Sequence, residues 1–200
     1  MSSEKFRTTQ NTSLLTRNDR ISPLLVTLMA TLAISFGFLL KQRTTADTWL
    51  FESRTSGISA RYPAGWLVDE RGTYVVRIRD PLARPFKTQY FISVFPFATQ
   101  SSVRTILDSL TLQRSSDLAA YRVLVVEDQT NLGTKTTRMT FSFVDSDPNP
   151  FVQRLPVVVL GEDIVILDRN RAVVATFMTD KDSYDTDRPA FTQFLASLRY

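Results

Sequence analysis

The 200-residue chain contains no histidine and no cysteine. Without histidine it lacks the commonest general base and the commonest transition-metal ligand. Without cysteine it has no disulfide, no thiol nucleophile and no thiolate metal site, so a folded domain must be held by packing alone. Glycine is scarce too, at six residues, which leaves little from which to build a backbone cradle for phosphate. The G-x-S-x-G elbow, the glycine-rich phosphate loop and the dinucleotide fingerprint are all missing. Catalysis by paired carboxylates stays open in principle, as in an Asp/Glu-dependent hydrolase of the cell envelope. Nothing in the spacing of the acids selects a pair, and no cofactor is expected.

One-sided charge is lacking where it would matter. The net charge is +4, but residues 1–46 carry six basic and two acidic side chains, and the rest of the chain balances. Nucleic-acid binding needs a clustered basic face, so it is not expected.

Charge is wholly absent from Ile21 to Leu40, ISPLLVTLMATLAISFGFLL. Twenty residues at about 1.5 Å rise span roughly 30 Å, the thickness of a bilayer's hydrocarbon core. The expectation is a transmembrane helix over 21–40, flanked by Lys41 and Arg43. Pro23 falls in its first turn, and Thr27, Thr31 and Ser35 can bond back to the preceding turn. A cleaved signal peptide is the competing explanation, but its apolar core is shorter and a basic flank disfavours cleavage. The polar residues 1–20 read as a disordered cytoplasmic tail and 41–48 as a linker. The flanking basic residues slightly favour a cytoplasmic N-terminus. Residues 49–200 then form an extracytoplasmic domain.

From Trp49 the pattern becomes short alternating runs, the mark of half-buried strands. Strands are predicted at Ile58–Tyr62, Trp66–Val68, Tyr74–Arg79, Gln89–Phe97, Tyr121–Glu127, Lys135–Val144, Pro156–Leu160, Ile164–Asp168 and Ala172–Thr179. Gln89–Phe97 is aromatic enough to suggest burial on both faces. Asn131-Leu132-Gly133 and Asp168–Arg171 read as turns, with Asn170 suited to positive φ. Two segments switch to helical spacing. Val103, Ile106, Leu107 and Leu110 make one apolar stripe, capped by Ser101 or Ser102. Phe191, Phe194, Leu195 and Leu198 make the other, with Asp187 as cap and Pro189 in the first turn. The class is α+β: helices packed on an antiparallel sheet of six to eight strands.

Three clusters are candidate sites. Arg77, Arg79 and Arg84 surround the Tyr74 strand and suit a carboxylate or phosphate ligand; cross-strand pairing with Asp69 or Glu70 is the structural alternative. Asp145, Asp147 and Asn149 have the alternating oxygen spacing of a calcium loop, although Pro150 and Pro156 stand where such a loop wants Gly and Glu. Asp180, Asp182, Asp185 and Asp187 precede the last helix, where acids favour its N-terminus.

The run Gly57-Ile58-Ser59-Ala60-Arg61-Tyr62-Pro63-Ala64-Gly65-Trp66 resembles the opening strand and turn of the PsbP-like family. The order of elements, ending in Phe194-Leu195-Ala196-Ser197-Leu198-Arg199, is similar as well, over about residues 49–200. The resemblance implies an αβα sandwich around an antiparallel sheet. It also implies a non-catalytic role: members include thylakoid-lumen proteins that dock on photosystem II and a Ran-binding nuclear-import factor. A photosystem role does not carry over to a chain without histidine and with an apolar anchor. The function expected is therefore a membrane-anchored binding or assembly domain that recruits a membrane or envelope protein.

Overall fold

The computed structural model describes residues 25–37, 47–97, 102–131, 134–146 and 155–200. The chain divides into two units, Met1–Ala46 and Asp47–Tyr200. In the first, residues 25–37 form helix α1, exposed along its whole length. The Thr31 hydroxyl donates to the Thr27 carbonyl at 2.8 Å, the back-bond expected of a hydroxyl in an apolar helix. No helix among the described residues is long and apolar enough to cross a membrane. The predicted tail 1–20, the linker up to residue 46 and both ends of the predicted span lie outside the described residues.

The second unit is α+β. β1 (Thr48–Ser53) and β2 (Ile58–Pro63) form a two-stranded ribbon. β3 (Leu67–Asp69), β4 (Val76–Arg79), β5 (Gln89–Pro96), β6 (Ala119–Asn131), β7 (Thr134–Asp145), β8 (Val157–Asp168) and β9 (Arg171–Asp180) form an antiparallel sheet in the order β3-β4-β5-β9-β8-β7-β6. Two helices, α2 (Val103–Asp117) and α3 (Tyr184–Ser197), cover opposite faces.

Alternation along the strands builds two cores, one on each face of the sheet. Tyr90, Ile92, Ile164, Val173, Ala175 and Phe177 point one way and pack with Phe191, Phe194 and Leu195 of α3 and with the β1–β2 ribbon. Met139, Phe141, Phe143, Val165 and Val174 point the other way and meet Ile106, Leu107 and Leu110 of α2. The two predicted stripes are thus the buried faces of the two helices. Ser102 caps α2, its hydroxyl accepting from the Thr105 N–H at 3.2 Å.

Several expectations are corrected. α3 begins at Tyr184, three residues before Asp187, so Asp187 is not its cap and Pro189 lies inside it. The Asp187 carboxylate instead accepts from the Thr88 and Thr179 hydroxyls at 2.8 and 2.9 Å, tying the helix to β9. The two strands predicted at Pro156–Leu160 and Ile164–Asp168 are one, β8. Its Gly161-Glu162-Asp163 looks like a turn but runs through the core, because partners on both helices neutralise its charges. β5 buries Tyr90 and Ile92 on one face only; Phe91 and Phe95 are half-buried at the margin of the α2 core. At the β8–β9 turn the positive φ falls on Arg169, at 49°, rather than on Asn170.

Candidate functional site

Glu162 and Asp163 are adjacent on β8, so their carboxylates project to opposite faces of the sheet. Asp163 is 0% exposed. It receives the Arg114 guanidinium of α2 at 2.5 and 2.9 Å and the Thr176 hydroxyl at 2.5 Å. Burial disfavours the Arg114 charge, but Asp163 outweighs it and the guanidinium pKa is raised. Arg114 also lies over the Phe141 ring, 4.3 Å from its centroid. On the α3 side Glu162 accepts from the Tyr184 hydroxyl at 2.8 Å and from Arg188 at 3.0 Å, with Arg138 at 3.9 Å. Burial and then Glu162 raise the Tyr184 pKa. No sequence motif marks these acids. The signal that could have found them is two charges inside a β-branched run. Each is consumed by partners that fasten a helix to the sheet, which makes them structural pairs.

The predicted arginine cluster is partly assembled. β3 and β4 pair with Asp69 opposite Arg77, and their side chains meet at 2.6 Å. Arg77 and Arg79, two residues apart, line one cleft of about 500 Å³ with Asp69, Glu70 and Arg71. Arg84 is not among its lining residues; its guanidinium donates to the Pro81 and Ala83 carbonyls at 3.2 and 2.9 Å. The cleft's charge is largely internal, since Asp69 takes the Arg77 guanidinium, the Tyr74 hydroxyl and the Arg71 N–H.

Those three donors, the Arg71 N–H first, hold the Asp69 carboxyl at about 2, below its ordinary 3.8. A carboxylate with a depressed folded pKa contributes stability above its unfolded pKa and loses it as pH falls through the folded value. The Asp69 contribution should therefore persist at pH 4 and fade towards pH 2. A carbonyl-detected NMR titration is expected to place the Asp69 midpoint near 2. Arg77→Met should move it up towards 3.8; a wild-type midpoint already at 3.8 would disprove the arrangement.

The predicted calcium loop is placed only at its start. Asp145 ends β7, paired with Val157, whereas Asp147 and Asn149 lie outside the described residues. No group of three metal-ligating side chains occurs among the described residues. The acidic segment is dispersed: Asp180 is buried at the end of β9 and accepts from the Ser183 N–H, and Asp187 is bound as described above.

The surface feature that sequence reasoning missed is the exposed edge at β6, whose strand it did predict at Tyr121–Glu127. This thirteen-residue strand is the outermost of the sheet, hydrogen-bonded on one side to β7. Val123, Leu124, Val125 and Val126 are consecutive and 37%, 50%, 48% and 50% exposed. Between Val123 and Val125 the register with β7 slips by one residue, a β-bulge. The alternation that normally puts every second residue in the core therefore breaks at Leu124. Beside it, a cleft of about 810 Å³ runs between Ser102–Leu107 of α2 and the Val126–Thr130 half of β6. A strand edge offers unpaired backbone N–H and C=O groups, and four apolar side chains along it make a template for another chain.

No family model matches the chain, and no curated protein matches it. Solved structures do. The cyanobacterial PsbP protein (CyanoP) of Synechocystis is similar over 77% of this chain and 92% of its own, at 14% identity and a TM-score of 0.57. LpqN of Mycobacterium tuberculosis, involved in cell envelope biogenesis, matches 76% of this chain and 89% of its own at 12% identity and a TM-score of 0.49. The Ran-binding protein Mog1p of Saccharomyces cerevisiae matches 76% and 95% at 9% identity and a TM-score of 0.49. At such identities the likeness is one of backbone course: the chain has the PsbP-like fold, as the Gly57–Trp66 run and the order of elements suggested.

Proposed function

We propose that this chain is a membrane-tethered, non-catalytic binding domain that recruits a protein to the sheet edge at β6. The observation that carries the reading is the exposed apolar run Val123–Val126 on an outer strand. Natural sheets usually blunt such edges with charge, proline, a bulge or a covering loop; β6 has its bulge at Leu124, yet Val123–Val126 are left exposed around it. A four-residue apolar edge kept open is what strand addition by a partner requires. The tether is residues 21–40. Its described part, 25–37, carries no charge and is exposed along its length; its hydroxyls, Thr27, Thr31 and Ser35, fall on one stripe where they can bond back to the preceding turn, so the helix suits lipid. The tail lies in the cytoplasm and the folded unit outside it. Confinement to the membrane raises the local concentration of the β6 edge near a membrane partner.

Fractionation tests the tether. The full chain is expected to pellet with membranes, to resist high salt and to be released by detergent, while residues 47–200 alone stay in the supernatant. Externally added protease should digest the folded unit on intact spheroplasts. Recovery of the unprocessed full chain in the supernatant without detergent would refute the anchor. Recruitment is tested by cross-linking in native membranes: Leu124→Glu, a change at an exposed position, should abolish β6-dependent adducts. Adducts that persist unchanged would remove β6 from the function.

A further inference from the structure

Resting on β6 as the binding edge, we propose that its occupant is a second copy of this chain, the two β6 strands pairing antiparallel about a two-fold axis with Arg122 opposite Glu127. The argument comes from the bulge. A two-fold axis perpendicular to a sheet places residues on the same face opposite one another. In a regular strand Arg122 and Glu127, five residues apart, point to opposite faces. Here Arg122 aligns with Ser142 and Glu127 with Arg138, and these two β7 residues share a face. Val123 aligns with Phe141 and Val126 with Met139, which share the other face. The slip at Leu124 is what brings each pair to one side.

The strand is consequently self-complementary in one register. Arg122 meets the second copy's Glu127 twice over, once on each side of the axis. Val123 meets the second copy's Val126, also twice, and the two bulges meet at the centre. Opposite charges directly across a strand pair stabilise it, and like charges there destabilise it. Both charged residues are exposed, and Glu127 keeps Arg138 beside it on its own sheet. Shifting the register by two residues breaks the ion pairs and sets the valines against charge or Tyr121. Two sheets joined this way make one continuous antiparallel sheet in which the unpaired edge is lost.

The test uses the full chain in detergent micelles, with mass measured by sedimentation equilibrium. Wild type is expected to dimerise. Arg122→Glu and Glu127→Arg should each weaken dimerisation at least about tenfold, since each sets two like-charged pairs across the axis. Mixing the two variants should restore a heterodimer, because every cross-strand pair in it is again of opposite sign. As Glu127→Arg also removes the closer of Arg138's two carboxylate partners, a second measurement covers a failure to fold. The chain lacks cysteine, so a Val123→Cys chain mixed with a Val126→Cys chain under mild oxidation should yield the mixed disulfide dimer. A Leu112→Cys control, exposed on α2, should not. A monomeric wild type, or single variants that dimerise as wild type does, or no 123–126 disulfide, would overturn the proposal. A monomer that still forms β6-dependent membrane adducts would overturn the second copy and leave the recruiting edge intact. A monomer without such adducts would remove both.

Discussion

Asp163→Ala is expected to lower the stability of the folded unit by about 3–5 kcal/mol, the range for removing one partner of a buried ion pair. The carboxylate is wholly buried and holds both Arg114 terminal nitrogens and the Thr176 hydroxyl. Its loss strands a guanidinium over the Phe141 ring in a site with little water, and an unpaired buried charge costs far more than the pair contributed. Replacing both partners by apolar residues, Asp163→Leu with Arg114→Met, should recover much of the loss, because neither charge is then desolvated. Urea unfolding followed by tryptophan fluorescence reads both effects as a shift in midpoint at unchanged slope. A single-variant loss under about 1 kcal/mol would mean that water reaches Asp163.

A loss of similar size is expected at Phe141. The ring is fully buried, 5.5 Å from the Tyr121 ring and 6.5 Å from that of Phe143. Phe141→Ala should cost about 3–5 kcal/mol, the lost transfer energy plus the cavity left behind. Across the β7–β8 ladder the ring lies over Gly161, and a Cβ added there would overlap it. Gly161→Ala alone should therefore cost about 1–3 kcal/mol through overpacking. In the Phe141→Ala background the same change should cost almost nothing, since the clash is gone. That non-additivity, measured in a double-mutant cycle, distinguishes a steric role for Gly161 from a propensity effect, which would add. A constant cost in both backgrounds would rule out the packing explanation.

Much of the fold was legible because it rests on periodicity. The apolar stripes Val103–Leu110 and Phe191–Leu198 are the buried faces of α2 and α3, and the strand predicted at Lys135–Val144 buries its alternating Met139, Phe141 and Phe143. Ser102 is the cap its residue type suggested. Pairing of Arg77 with Asp69 was one of the two cross-strand alternatives that the neighbouring short strands offered. Errors arose where local preference and tertiary context disagree. Tyr184–Asp187 looks like an acidic loop, yet it is the first turn of α3, because Thr88 and Thr179 hydrogen-bond Asp187 against the sheet. β1 escaped notice because Thr48–Ser53 has no clean alternation and owes its strand to β2.

Taken alone, the sequence determined the α+β class, the helix faces and the absence of histidine and cysteine chemistry. Each of these is a property of residue type and spacing within one segment, which needs no distant partner. Only the tertiary structure decided that Gly161-Glu162-Asp163 is the middle of a strand, since Arg114, Tyr184 and Arg188 come from remote helices to neutralise it. It alone decided that β6 ends the sheet and that the slip at Leu124 puts Arg122 and Glu127 on one face. Strand order and register depend on which segments meet across the whole chain, and no local pattern records that.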